Sequence, residues 1–255
     1  MNAQDYLIKM DQLLEMTKAA FTEFAANTEA ALRAERPQIL AVDEDNIDTE
    51  KFKLDKALLR AAPIVAVPAF SEFQPLQEDG HRFLLARGGL YLEIRRPWLK
   101  FIHRLAEIDV HVPYGPVKAM TELSFGTLGK AMPQLQEFAL HATAMAPNEA
   151  AAALMWNSSS NTWRLAYPDD VVATPASISY TAAIPSDNEH MVIDLHSHGN
   201  LHAFFSDTDD KDDAGSVKIA GVYGSLDKDT PTVAFRLCAL GLNIPINVPA
   251  EKIFA

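Results

Sequence analysis

Met191-Val192-Ile193-Asp194-Leu195-His196-Ser197-His198, followed after seven residues by Ser206-Asp207-Thr208-Asp209, is the stretch on which the fold of this chain turns. Apart from Asp194, its first five residues are apolar, which predicts a strand that ends in the histidines. Alternate residues of a strand share a face, so His196 and His198 point one way while Ile193 and Leu195 point the other. Ser206 opens a polar, helical turn, with Asp209 three residues on and close enough to join a common site. Two imidazoles and a carboxylate are donors of the kind zinc takes in catalytic sites, which keep one position open for water. Each part also has a plainer reading. Strand-end histidines need no metal, and Ser-x-x-Asp is a fair helix start with a capping arrangement. Together, directly after an apolar strand, the set favours a metal site.

Working outward toward the N-terminus, Pro133 to Met145 carries Leu135, Phe138, Ala139, Ala142 and Met145 at helical spacing. Ala146-Pro147-Asn148-Glu149 follows, and then an apolar run, Ala152 to Asn157, that reads as the next strand. Alone, Glu149 would be a solvated turn residue. As part of the whole constellation it resembles the JAMM (JAB/MPN-type) metalloprotease family. That family places a Glu in a Pro-x-Glu turn after its first helix, then His-x-His-x7-Ser-x-x-Asp some fifty residues later. Glu149 stands 47 residues before His196, and the resemblance covers about residues 131–240.

The resemblance implies a fold, a metal and a mechanism. The fold is α/β (α+β), with cytidine-deaminase-like layering in the C-terminal part and a helical, strand-rich N-terminal extension. One Zn2+ per chain would be held by His196, His198 and Asp209. Glu149 would serve as general base and then acid, and Ser206 would donate to the oxyanion. The implied reaction is zinc-dependent hydrolysis of an amide bond after the C-terminal glycine of a ubiquitin-like or sulfur-carrier-like protein. Three positions depart from the family pattern: Gly199 replaces the usual Pro, Ala150 to Ala153 replace the usual Cys-Gly, and Asp194 replaces a common aromatic.

Further upstream, Arg87-Gly-Gly-Leu-Tyr-Leu-Glu-Ile-Arg-Arg-Pro-Trp98 ahead of a JAMM half resembles the A-type proteins of bacterial, often plasmid-borne PRTRC systems. Those cassettes also encode ParB-related and ThiF-related proteins. The implied partners are a ubiquitin-like protein substrate and a ThiF-like, activating-enzyme-like pathway neighbour.

Composition narrows the classes. The net charge of −12, from 22 Lys and Arg against 34 Asp and Glu, argues against nucleic acid as a partner. No run of eighteen apolar residues and no basic-then-apolar leader occurs, which predicts a cytoplasmic protein with no membrane association. The single cysteine, Cys238, excludes an internal disulfide framework and a thiolate zinc cluster. It lies in an apolar run and reads as a small buried hydrophobe. Oligomeric state is not legible.

Three parts are expected along the chain. Residues 1–60 comprise one helix, with Leu7, Met10, Leu14, Phe21, Phe24 and Ala31 as a stripe over residues 1–35, then an acidic and charged linker that includes Asp43 to Asn46 and a helical pattern from Lys51 to Arg60. The stripe fits packing on its own domain or a short coiled coil. Residues 61–130 read as strand-rich: Ile64–Val67, Arg82–Ala86, Leu90–Ile94 and Asp109–Val112, with Arg87-Gly88-Gly89 as a hairpin turn. Residues 131–255 form the metalloprotease domain, with further strands at Thr162–Tyr167, Ser177–Ala182, Lys218–Tyr223 and Thr232–Ala239. The acidic run Asp207 to Asp213 reads as a solvated turn rather than a calcium loop. Besides the isopeptidase, two other classes fit the residues: a non-catalytic MPN-type scaffold, and a zinc hydrolase of a small amide conjugate.

Overall fold

A computed structural model describes residues 3–35, 40–41 and 48–255. The chain divides into two units, residues 1–56 and 57–255. In the first, α1 (Ala3–Glu35) is the helix predicted from the apolar repeat. Its Met10, Leu14, Phe21 and Phe24 are exposed. Leu7 and Ala31 of the stripe, and the acidic segment Asp43 to Asn46, fall outside the residues whose side chains are described. The charged pattern from Lys51 to Arg60 forms α2 (Thr49–Ala61). Asp48 starts it, its carboxylate accepting the N–H of Glu50 and Lys51, which satisfies two of the donors a helix start leaves open.

The second unit begins with a five-stranded sheet in the order β1 (Ile64–Ala66), β2 (Gly80–Ala86), β3 (Gly89–Arg96), β4 (Leu99–Glu107), β5 (Met120–Leu123). The hairpin turn read as Arg87-Gly88-Gly89 is there, but Ala86 pairs with Gly89, so its loop is Arg87-Gly88 and Gly89 opens β3. Gly88 sits at φ +91°, a conformation that favours glycine there. A second tight turn, Pro97-Trp98, joins β3 to β4, since Arg96 pairs with Leu99. Trp98 is 2% exposed, so this aromatic is part of the core.

One strand is corrected. Asp109–Val112 is irregular, and the strand of this region is β4, just upstream. Val110 is 72% exposed and buries no face, while Pro113 lacks the N–H a ladder needs. The sequence of β4, LKFIHRLAE, interleaves Lys100, His103 and Arg104 with its buried Leu99, Phe101 and Ile102, which hid its strand character.

The second sheet has the order β13 (Leu242–Ile246), β12 (Thr232–Ala239), β11 (Val217–Gly224), β10 (Glu189–Ser197), β6 (Ala151–Asn157), β7 (Thr162–Ala166). A separate hairpin, β8 (Asp169–Thr174) with β9 (Ser177–Thr181), lies between β7 and β10 in the chain. β10 and β11 are parallel, so a crossover must join them, and it carries α4 (Asp207–Asp213). The remaining helices are α3 (Met132–Met145) and α5 (Ala250–Ile253). Strands and helices thus layer as the α/β reading expects.

Register decides which side chains share a face. Asp194 pairs with Ala220, and Ala220 with Arg236; His196 pairs with Val222, and Lys218 with Cys238. These residues lie on one face of the sheet. Ile193, Leu195, Ile219, Tyr223, Phe235 and Leu237 lie on the other, in a core with Leu135, Phe138, Ala139 and Ala142 of α3. The Tyr223 hydroxyl donates to the Leu135 carbonyl at 3.2 Å, within that packing. The same core contains Leu92, Ile94, Trp98, Leu99 and Phe101 of the first sheet. Phe125 joins the two sheets: it stacks on Trp98 at 6.4 Å and meets Trp163 edge-on at 4.9 Å. Burial of an aromatic of this size contributes about 1.5–3 kcal/mol.

Candidate metal centre

β10 delivers His196 on the face away from the core and ends at Ser197; His198 follows directly. The His198 N–H donates to the Tyr223 carbonyl at 2.8 Å, extending the β10–β11 contact one residue past the strand. Ser197 between the histidines is fully buried. Its hydroxyl accepts the Ala150 N–H at 2.9 Å, and its own N–H donates to the Ala150 carbonyl at 2.8 Å. These two bonds lock the residue after Glu149 to the histidine pair. Glu149 is held from the other side as well, its N–H donating to the Thr174 carbonyl at 3.0 Å at the end of β8.

Asp209 arrives from α4. Ser206 caps that helix: its Oγ accepts the Asp209 N–H at 3.2 Å, and Asp209 Oδ2 accepts the Ser206 N–H at 2.6 Å, a capping box. The Ser206 hydroxyl also donates to Asp209 Oδ2 at 2.7 Å. Capping thus turns one carboxylate oxygen inward and leaves Oδ1 facing the histidines. The capping reading of Ser-x-x-Asp is met, and the same cap turns the Asp209 carboxylate toward the histidines.

Nε2 of His196 lies 3.2 Å from Nε2 of His198 and 3.5 Å from Oδ1 of Asp209. The three ligand atoms all lie within 4.8 Å of one another. Ligands about 2.0–2.1 Å from a tetrahedral zinc are roughly 3.3–3.4 Å apart; both separations from His196 match this, the third lies within 4.8 Å, and the two-nitrogen, one-oxygen set suits that ion. Burial pushes both imidazoles below the ordinary histidine range, against the opposing pull of Asp209. Neutral imidazole is the form that binds metal. Burial, then the Asp209 charge, raise the Glu149 carboxyl above the usual carboxylate range.

A cavity of about 650 Å³ is lined by Glu149, His196, His198, Ser206 and Asp209. All five residues singled out in the sequence therefore meet at one place. Part of its lining was not foreseen: Ser177 to Tyr180 of β9, Asp194 and Lys218 also border it. Burial, then the charge of Asp194, push Tyr180 up to about 12.

Two departures from the family pattern gain a physical reason. Gly199 sits at φ +53°, and a Cβ there would lie 2.2 Å from the Pro147 carbonyl oxygen. The position cannot hold the ring of a proline, whose φ is fixed near −65°. The glycine lets the turn that carries Glu149 pass directly against the loop after His198. Asp194 ends in an ion pair with Lys218, Nζ to Oδ2 2.6 Å. The run Asp207 to Asp213 is the helix that Ser206 opens, and most of it is exposed as expected; Asp213 is the exception, buried and bonded to Lys218 and Arg236. A lone cation inside each of two apolar strands, VKIAGVYG and TVAFRLCA, was the available signal, read beside an acidic run with no basic residue but Lys211.

Residues 132–238 match the prokaryotic homologs of the JAB domain, and residues 53–124 match a domain of unknown function, DUF2016. The segment from 132 to 238 is thus a JAB/MPN-type domain, preceded by a DUF2016 segment whose strands share its hydrophobic core. No curated protein matches the chain. Among the described residues no helix is long and apolar enough to cross a membrane.

Proposed function

We propose that the chain is a zinc-dependent isopeptidase or peptidase that hydrolyses an amide bond after the C-terminal glycine of a ubiquitin-like or sulfur-carrier-like protein. The observation that carries this reading is the meeting of Glu149 with His196, His198 and Asp209 on one cavity. A scaffold has no need of a buried, proton-accepting carboxylate beside a metal-ligand triad. When bound to His196, His198 and Asp209, zinc supplies Lewis acidity and brings water's pKa toward neutrality.

Glu149 takes the proton of the attacking water and returns it to the departing amine, a role its raised pKa suits. Ser206, at the opening of α4, donates its hydroxyl to the oxyanion of the tetrahedral intermediate. Ser177 to Tyr180 of β9 also line the cavity, where they would contact the bound chain end. Membership of a PRTRC cassette, with a ThiF-like protein as pathway neighbour and a cytoplasmic setting, is part of the same proposal and rests on the resemblance of Arg87 to Trp98.

The test is mass spectrometry of ubiquitin-like proteins extended beyond their C-terminal glycine by an amide-linked peptide, incubated with zinc-loaded protein. Loss of the extension, with cleavage on the carbonyl side of the glycine, is expected. If zinc is bound and ubiquitin-like tails stay intact while small acyl-amides are hydrolysed, the substrate is a small conjugate. If zinc is bound and neither is cleaved, the domain acts as a scaffold.

A further inference from the structure

We infer that Arg236 and Lys218 are positioning residues for the metal centre: they fix the helix carrying Asp209 against the strand carrying His196. The inference rests on the reading of His196, His198 and Asp209 as ligands.

The helix α4 cannot hold itself in place. It has seven residues, Asp207-Thr208-Asp209-Asp210-Lys211-Asp212-Asp213, and helices shorter than about 12–15 residues are marginal in water. Five of the seven are carboxylates. Those of the first turn suit the helix dipole, but Asp212 and Asp213 lie at the end where the dipole disfavours negative charge. External cations must supply what the helix lacks.

Arg236 grips α4 at two points and the residue ahead of its cap at a third. Its guanidinium carbon lies 3.8 Å over the ring of Phe205, the residue just before the cap. Nη1 donates to Asp210 in the first turn, and Nη2 donates to Asp213 in the last, at 2.7 Å. Positions 205, 210 and 213 bracket Asp209 from both sides, and Arg236 itself is only 5% exposed. Lys218 then carries the chain of contacts to the other ligands. Its Nζ lies 2.7 Å from Asp213 and 2.6 Å from Asp194. Asp194 is two residues before His196 on the same face of β10. An unbroken path therefore runs from the histidine strand through Asp194, Lys218, Asp213 and Arg236 to both flanks of Asp209.

The energetics favour a positioning role over a stabilising one. Buried ion pairs hold a fold little better than apolar side chains of equal volume, because desolvation offsets much of the attraction. What they add is direction: a forked guanidinium bonded through Nη1 and Nη2 to two carboxylates of one helix fixes both rotation and height. Burial raises the Asp213 carboxyl, yet its bonds to Lys218 and Arg236 outweigh that and hold it below the usual range. It stays charged where it is gripped.

The experiment is cobalt(II) titration of the full chain, followed by the visible d–d bands that report ligand geometry. Arg236→Met and Lys218→Met are expected to bind about 10- to 100-fold more weakly than wild type, with shifted bands. Arg236→Lys recovers part of the affinity, because an ammonium reaches one carboxylate of the two. Leu237→Ala, on the opposite face of the same strand, lowers the melting temperature but leaves affinity and bands unchanged. Should Arg236→Met fail to fold, Arg236→Lys and Lys218→Met decide. Folded variants that bind cobalt with wild-type affinity and wild-type bands overturn the inference. Wild-type protein that binds no cobalt overturns the ligand assignment instead, a separate failure.

Discussion

Glu149→Gln is expected to lower turnover by roughly 10²–10⁴-fold while leaving the metal bound and the fold intact. The amide keeps the size of the side chain and can still donate and accept hydrogen bonds, but it takes no proton at neutral pH. Loss of the base removes both the activation of water and the protonation of the leaving amine. Retention of metal follows from the geometry: the ligand atoms within reach of one another belong to His196, His198 and Asp209, and Glu149 is not among them. Its backbone is anchored by the Thr174 carbonyl and its neighbour Ala150 by Ser197, bonds that the substitution does not touch. Zinc analysis beside steady-state kinetics reads both parts. Metal loss in Glu149→Gln would make the residue a ligand and reverse the assignment of roles.

Ser206→Ala separates a cap from a catalytic donor. Removing the cap costs about 1 kcal/mol of stability. Removing an oxyanion donor lowers kcat by about a hundredfold or more. Metal is expected to stay, because Asp209 Oδ2 keeps the Ser206 backbone N–H at 2.6 Å after the hydroxyl is gone. Ser206→Asn supplies a good cap without the hydroxyl, so it should be stable and inactive. Near-normal kcat in Ser206→Ala, with a melting temperature several degrees lower, would leave Ser206 as a cap alone.

The residues legible in the sequence share a cause. His196, His198, Ser206 and Asp209 lie within fourteen residues, where strand alternation and a helix start fix relative positions locally. Glu149 needed the family resemblance, because its approach depends on the β6–β10 ladder and on Ser197 bonding Ala150 across it. Lys218 and Arg236 stayed hidden for the same reason. Each looks like a stray charge in an apolar strand until register brings Asp194, Ala220 and Arg236 into one row across the sheet. The hairpin wall of the cavity was invisible too: β9 reads as a strand, but nothing local says that it leaves the main sheet. Over residues 61–130 the Arg87-Gly88 turn was clear from glycine chemistry. β4 was missed because Lys100, His103 and Arg104 interrupt its buried Leu99, Phe101 and Ile102, which pack into two separate clusters that only the folded chain assembles.

The most direct test is the metal content of purified protein after zinc loading and desalting, by inductively coupled plasma mass spectrometry. Wild type is expected to hold about one zinc per chain. His196→Ala and Asp209→Ala should lose most of it, while His202→Ala and His141→Ala, outside the triad, should keep it. Wild-type protein that stays metal-free after loading, or that binds zinc equally well without His196 and Asp209, contradicts the metal centre and the hydrolytic function built on it.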